Sequence, residues 1–212
     1  MTFDVTVQTL TAALARPLPG PTAQAALAPT WRRAWPVGLE DAKVRHAAGL
    51  VLLFPIDNRA HVLFTVRAGT LGRHGGQVSL PGGVVEPGET LEAAALREAH
   101  EEVALSLDEV RVIGALTPLD IPISGFRLHP VVASQATRPA LTASHGEVAR
   151  ILEVAVDDLR NPAHLRPAAR RHDGQSIVVP AFHVGGEEIW GATAMVLAEF
   201  LALLGWSSQP LE

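Results

Sequence analysis

The 212-residue chain has no cysteine, a single lysine (Lys43), no long apolar run and no repeated segment. Without cysteine there is no disulfide framework, no thiolate metal site and no cysteine nucleophile, so any chemistry must come from oxygen and nitrogen groups. The apolar residues make up 48% of the chain but are interrupted by 18 glycines and 16 prolines. No stretch approaches the about 20 apolar residues that span a bilayer, so no membrane association is expected. The first residues carry Asp4 and no basic leader, unlike a secretory signal, and cytoplasm is the expected location. A net charge of −5 argues against salt-driven polynucleotide binding. Arginines, by contrast, are plentiful enough to grip a small phosphorylated ligand through bidentate contacts. The length suits one domain, as a monomer or a homodimer.

Hydrophobic spacing predicts a short helix over 4–15, then a Pro/Ala-rich connector over 17–30 that packs at the periphery. Residues 1–45 thus form a peripheral part of one domain, whose body is 46–212. AAGLVLLFPI and HVLFTVR, flanking Asp57-Asn58-Arg59, have the pattern of a β-hairpin. Residues 68–83 hold six glycines and one proline and read as an irregular loop. Downstream, VRVIGALTPLDI and FRLHPVVAS read as strands, and EVARILEVAVDDL as a strand entering a short helix. An Arg-rich loop is expected over 160–173, then strand-like IVVPAFHV and EEIW, and TAMVLAEFLALL as a closing apolar helix. The order of elements implies an α/β fold with a central mixed sheet.

The most informative segment is GVVEPGETLEAAALREAHEEVAL, with Gly83, Glu89, Arg97, Glu98, Glu101 and Glu102 at fixed spacing. On a helix, Glu98, Glu101 and Glu102 share an arc of roughly 100°, with Leu96, Ala99 and Val103 opposite. Three carboxylates at i, i+3 and i+4 repel unless a cation sits between them. Hard oxygen donors in this number suit Mg²⁺ or Mn²⁺, completed by substrate phosphate oxygens. Gly82 and Gly83 let the backbone approach the cation and its phosphates, and Gly88 turns the chain into the helix. His100 adjoins the glutamates in sequence but points away from them.

This segment resembles the Nudix box, G-x5-E-x7-R-E-U-x-E-E-x-G-U with U aliphatic. All charged positions match, Ala99 and Leu105 fill the aliphatic slots, and Ala104 stands where the pattern has glycine. If the helix ends there in a left-handed turn, the alanine costs about 1 kcal/mol. The resemblance implies the Nudix fold, an α/β/α sandwich, and hydrolysis of nucleoside diphosphates linked to another moiety. Upstream, LFTVRAGTLGRHGGQVSLPGG is similar to the signature of the coenzyme A pyrophosphatase branch. Leu63, Thr65, Arg67, Ala68, Gly76, Pro81, Gly82 and Gly83 agree with it. Phe64 replaces leucine, Leu80 replaces phenylalanine, and Gly72 replaces an arginine that would pair with phosphate. HGEVARILEVAVDDL and IWGATAMVL also look like this branch.

The resemblance implies Mg²⁺ (or Mn²⁺) held by Glu98 and Glu102, with the Gly83 carbonyl as third ligand. Glu101 supports a second ion or takes a proton from the attacking water, and Glu147 is the downstream acid that serves as base or extra ligand. Arg97 orients a carboxylate such as Glu89. Arg67, Arg73, His74, Gln77 and Gly82 are the substrate-binding candidates. Trp190 reads as core, with adenine stacking as the alternative. The expected activity is cleavage of coenzyme A to 4′-phosphopantetheine and 3′,5′-adenosine diphosphate. The alternatives keep the site and change the ligand to ADP-ribose, a dinucleotide or an oxidised nucleoside triphosphate, or make the chain a nucleotide-sensing module without turnover.

Overall fold

The structure, a computed structural model, describes residues 1–29, 44–69, 76–172 and 174–207. Helices α1 (Phe3–Leu14) and α2 (Gly20–Ala25) precede strands β1 (Arg45–Ile56) and β2 (Arg59–Arg67). Two short strands, β3 (Val78–Ser79) and β4 (Gly82–Val84), lead into α3 (Leu91–Val103). Strands β5 (Arg111–Ala115), β6 (Leu119–Ile121), β7 (Phe126–Ser134) and β8 (Val148–Ala155) follow. The chain finishes with α4 (Val156–Arg160), β9 (Leu165–His172), β10 (Gln175–Val184), β11 (Glu187–Trp190) and α5 (Gly191–Ala202).

The hairpin forms where the sequence predicts it. Ile56 pairs with Arg59, so Asp57 and Asn58 alone make the turn, both with positive φ (49° and 63°), as the two-residue turn that matches strand twist requires. Asparagine and aspartate tolerate that conformation better than most residues with a Cβ. β1 also pairs in parallel with β7 and antiparallel with β4, which makes the eight-stranded sheet mixed.

β1 is buried along most of its length because both of its faces are covered. Ala48, Leu50, Leu52 and Phe54 face Ala94, Ala95, Ala99 and Val103 of α3. Val51 and Leu53 join the larger core on the other face, with Leu10 of α1, Leu27 just after α2, and Val196, Leu197 and Phe200 of α5. Helices on both faces of a mixed sheet form the α/β/α sandwich. A second sheet, in the order β11-β10-β9, sends Leu165, Phe182, Val184 and Ile189 into the same core.

Three segments differ from their sequence pattern. The connector over 17–30 contains α2, and the N-terminal segment packs more deeply than a peripheral one. Leu10 is fully buried, and Gln24 donates to the buried Glu199 at 2.9 Å. The Gly-rich stretch over 68–83 contains β3 and β4, because antiparallel neighbours β2 and β1 supply backbone partners that a local reading cannot see. The Arg-rich segment over 160–173 is mostly β9, paired with β10 from Leu165↔Phe182 to His172↔Gln175.

Candidate active site

Helix α3 carries the acidic residues. Thr90 caps it, its hydroxyl accepting from the Ala93 N–H at 3.1 Å, a contact that stabilises by about 1 kcal/mol. Gly88, at φ 84°, makes the turn that leads in. The helix ends at Ala104 in the left-handed region (φ 54°, ψ 33°), so the alanine does carry the strain that glycine would avoid. The His100 Nδ1 lies 2.9 Å from the Leu105 carbonyl beyond that end, away from the carboxylates.

The three glutamates are not equivalent. The acidic arc and the packed stripe of α3 overlap instead of opposing each other, because Ala94, Ala95, Ala99 and Val103 straddle the Glu102 direction. Glu102 is therefore buried, Glu98 is partly buried, and Glu101 is 55% exposed. This corrects the simple division into one polar and one apolar face. The helix packs against β4, and the Glu98 carboxylate lies beside Gly83 of that strand.

The two glycines have distinct reasons. A Cβ on Gly82 would lie 2.3 Å from the Ala48 carbonyl oxygen, so glycine there permits the β1–β4 approach. At Gly83 a Cβ would lie 2.3 Å from a Glu98 carboxylate oxygen, so glycine there makes the space that Glu98 occupies.

Arg97 ties the acidic groups together. Its guanidinium donates to both Glu89 oxygens at 2.9 and 3.1 Å, to Glu98 Oε1 at 2.9 Å, to Glu101 Oε2 at 3.1 Å and to the Val84 carbonyl at 3.1 Å. The bidentate pair with Arg97 and the Glu86 N–H hold the Glu89 carboxyl below its usual range. Glu89 in return raises the Arg97 pKa.

Glu102 behaves in the opposite way. Burial pushes its carboxyl up to about 7, against the Arg67 charge, while Glu98 and Glu147 raise it further and the Gly82 N–H opposes them. Its Oε2 is buried with no hydrogen-bond partner among the described residues. Two distant segments create this environment. Arg67 ends β2, its N–H donating to the Gln77 carbonyl at 3.0 Å. The loop carrying Glu147 docks on the end of α3, where the Thr142 and Ser144 N–H groups donate to the Val103 and Glu102 carbonyls at 2.9 and 2.8 Å. The Ala68 N–H donates to the Glu147 carbonyl at 2.8 Å, which closes the ring of segments.

Fold and sequence pattern thus bring Arg67, Gly82, Gly83, Glu98, Glu102 and Glu147 together, with Arg97 and Glu101 at the rim. Gln77 enters through its backbone. Arg73, His74 and Gly72 lie outside the described residues. Phe64 and Leu80, the two apolar departures from the loop signature, are buried in the core.

Among the described residues no three His, Asp or Glu side chains converge on a single point, since Arg97 draws Glu98 and Glu101 towards itself. The donors nevertheless fit a hard divalent cation. All are oxygens, Glu98 occupies a space only glycine leaves open, and the orphaned Glu102 oxygen lacks the charge-compensating partner a buried carboxylate needs.

Comparison with known proteins shows the family. The family profile described as NUDIX domain matches residues 44–173. The chain belongs to the Nudix family. It is 36% identical over 157 residues to a protein of Citrobacter koseri named Uncharacterized Nudix hydrolase NudL, covering 73% of this chain and 81% of that one. A Cronobacter sakazakii protein of the same name is 37% identical over 164 residues, covering 76% and 83%. Among solved structures, a MutT/nudix family protein from Enterococcus faecalis aligns with a TM-score of 0.50 at 17% identity, over 82% of this chain and 65% of that one. A Nudix hydrolase from M. Smegmatis, RenU, aligns at 0.49 and 22% identity, over 84% and 91%. The chain is thus a Nudix hydrolase, a class that acts on phosphoric anhydrides and generally uses divalent metals. Among the described residues no helix is long and apolar enough to cross a membrane.

On the second sheet the sequence pattern raises Trp190 alone, as core with adenine stacking as the alternative, and the structure places it in a cleft wall. Arg166 and Arg170 of β9, His183 of β10, and Glu187, Glu188 and Trp190 of β11 line a cleft of about 600 Å³ together with Gly76. The four-residue spacing of the two arginines, which places both on one face of a strand, is the signal that was there to be found.

Proposed function

We propose that this Nudix hydrolase cleaves the diphosphate of coenzyme A or its derivatives, releasing 3′,5′-adenosine diphosphate and 4′-phosphopantetheine. The observation that carries the reaction class is the buried Glu102, with an oxygen that has no hydrogen-bond partner among the described residues, in the field of Arg67, Glu98 and Glu147. The choice of coenzyme A rests on the 63–83 segment, whose Leu63, Thr65, Arg67, Ala68, Gly76 and Pro81 agree with the signature of that branch.

Glu98 and Glu102 would hold Mg²⁺ or Mn²⁺, with the Gly83 carbonyl as a further donor. When bound, the ion polarises the diphosphate and neutralises its developing charge. Arg67 faces the same space and offers a bidentate contact to a diphosphate oxygen pair. Glu147, on the loop that closes over the end of α3, takes the proton of the attacking water, and the exposed Glu101 supports a second ion. Arg97 is a positioning residue, since it acts through Glu89, Glu98 and Glu101. Arg73, His74 and Gln77 complete the substrate contacts.

The test is chromatographic product analysis after incubation with Mg²⁺ and coenzyme A, ADP-ribose, a dinucleotide or nucleoside triphosphates. Release of 3′,5′-adenosine diphosphate mainly from coenzyme A supports the assignment. Faster cleavage of another compound moves the substrate and leaves the site, whereas no Mg²⁺-dependent turnover of any of them identifies a sensing module.

A further inference from the structure

The cleft on the second sheet has a defined construction. Directly paired residues share a face, so Arg166, Ala168 and Arg170 of β9 lie on the same face as Ile177, Val179, Ala181 and His183 of β10 and Glu188 and Trp190 of β11. That face turns away from the main core, which takes the alternate residues Leu165, Phe182, Val184 and Ile189. Ala168, Val179 and Ala181 are buried on this face with Ile177 and Trp190 packed against them, and the cleft itself is walled by the larger polar side chains and Trp190.

The walls combine three recognition chemistries. The Arg170 guanidinium lies over the Trp190 ring, 4.8 Å from its centroid, a flat surface for an aromatic base. Glu187 is ion-paired with Arg150, and Glu188 with Arg170 at 2.6 Å. Arg166 lines the same cleft, is exposed, and forms no ion pair or hydrogen bond with any other described residue, so it is the surplus cation. The His183 Nε2 is buried with no partner among the described residues, while its Nδ1 lies 3.5 Å from Glu188 Oε1. A cation in excess, an orphaned ring nitrogen and an aromatic platform suit a phosphorylated nucleoside, and about 600 Å³ lies within the usual range for such ligands.

The cleft borders the end of β2 that carries Arg67. Gly76 lines it, and the Gly76 N–H donates to the Arg67 carbonyl at 2.9 Å. The Thr193 hydroxyl, three residues after Trp190, donates to the Val78 carbonyl of β3 at 3.1 Å, fixing β11 against the same stretch.

We propose that this cleft is the subsite for the adenosine 3′-phosphate end of the substrate, with the phosphate on Arg166 beside the His183 ring and the base on the Arg170–Trp190 surface. This rests on the coenzyme A reading. It also supplies, from β9, a phosphate-binding cation that the loop lacks at Gly72.

The test is calorimetric binding of 3′,5′-adenosine diphosphate and of 5′-adenosine monophosphate to the full chain, which needs no turnover. The wild type should bind the 3′,5′-diphosphate at least about tenfold more tightly, the gain expected of a charge-assisted phosphate contact. Arg166→Gln should remove that preference while leaving affinity for the monophosphate within about twofold. Because Arg166 is exposed, the variant should keep the wild-type thermal transition. Equal affinities in the wild type, or a preference that survives Arg166→Gln, overturn the subsite. Preference without hydrolysis of coenzyme A keeps the subsite and removes the coenzyme A reading; hydrolysis without preference does the reverse.

Discussion

Two buried glutamates in this protein meet opposite fates. Glu199, on the inward face of α5, is fully buried, and both its oxygens are satisfied. Oε1 accepts from the Gly20 N–H at 3.2 Å and from the Thr117 hydroxyl and N–H at 2.6 and 3.3 Å, and Oε2 accepts from Gln24 at 2.9 Å. Glu102, in the acidic stretch of α3, is nearly as deeply buried, yet one oxygen has no partner and two further carboxylates bear on it. The first is a structural clamp that ties α2 to α5 and to the Thr117 turn. The second keeps an oxygen without a hydrogen-bond partner among the described residues. Burial by itself says little about a carboxylate's purpose; the inventory of donors around it separates the two cases.

The largest effect should come from Glu102→Gln, which removes a carboxylate proposed above to hold the metal ion. Mg²⁺-dependent turnover should fall at least about a hundredfold. The same change should stabilise the metal-free protein at high pH. Ionisation of Glu102 shifts from its ordinary 4.5 to about 7 on folding, so the native state binds the extra proton. That contribution is fully present below about 4.5 and lost as the pH rises through 7, leaving a buried charge facing Glu98 and Glu147, opposed by Arg67 and the Gly82 N–H. Denaturant unfolding in chelator at pH 8 should find Glu102→Gln more stable by about 1–3 kcal/mol, and at pH 4 the gain should vanish. A variant less stable than wild type at pH 8 would break the comparison.

Arg97→Gln comes next. Removing the group that orients Glu89, Glu98 and Glu101 should lower turnover about 10- to 100-fold and weaken Mg²⁺ activation, as for other residues that hold metal-binding carboxylates. If Mg²⁺ activation is unchanged, Arg97 is only a surface ion pair. Glu199→Ala tests the opposite pole. It strands the donors of Gly20, Gln24 and Thr117, so unfolding should become easier by about 3 kcal/mol while turnover per folded molecule stays within about twofold. The smallest effect belongs to Ala104→Gly, which relieves the left-handed strain at the end of α3. Thermal unfolding should show stabilisation of up to about 1 kcal/mol, with activity unchanged; a loss of stability would mean that the alanine is not strained.

Local pattern made much of the fold legible. Alternation and the Asp57-Asn58 pair mark the hairpin, the spacing of glutamates marks one face of a helix, and the apolar run from Thr193 to Leu204 marks α5. The misread segments share a cause. In β9, Arg166, Pro167, Arg170 and Arg171 resemble a loop, because that strand buries few side chains of its own and is defined by its ladder to β10. β3 and β4 are too short for any periodicity to register, and only β2 and β1 make them strands.

For the site itself, sequence alone determined the chemistry on offer: hard oxygen donors at helical spacing, glycines before the helix, and no thiol alternative. Tertiary structure decided how those donors differ. The rotation of α3 against β4 buries Glu102 and leaves Glu101 in solvent, Gly83 makes room for Glu98, and Arg67 and Glu147 arrive from segments far away along the chain. Desolvation and charge act through space, and a carboxyl near 7 is created by neighbours that no local spacing specifies.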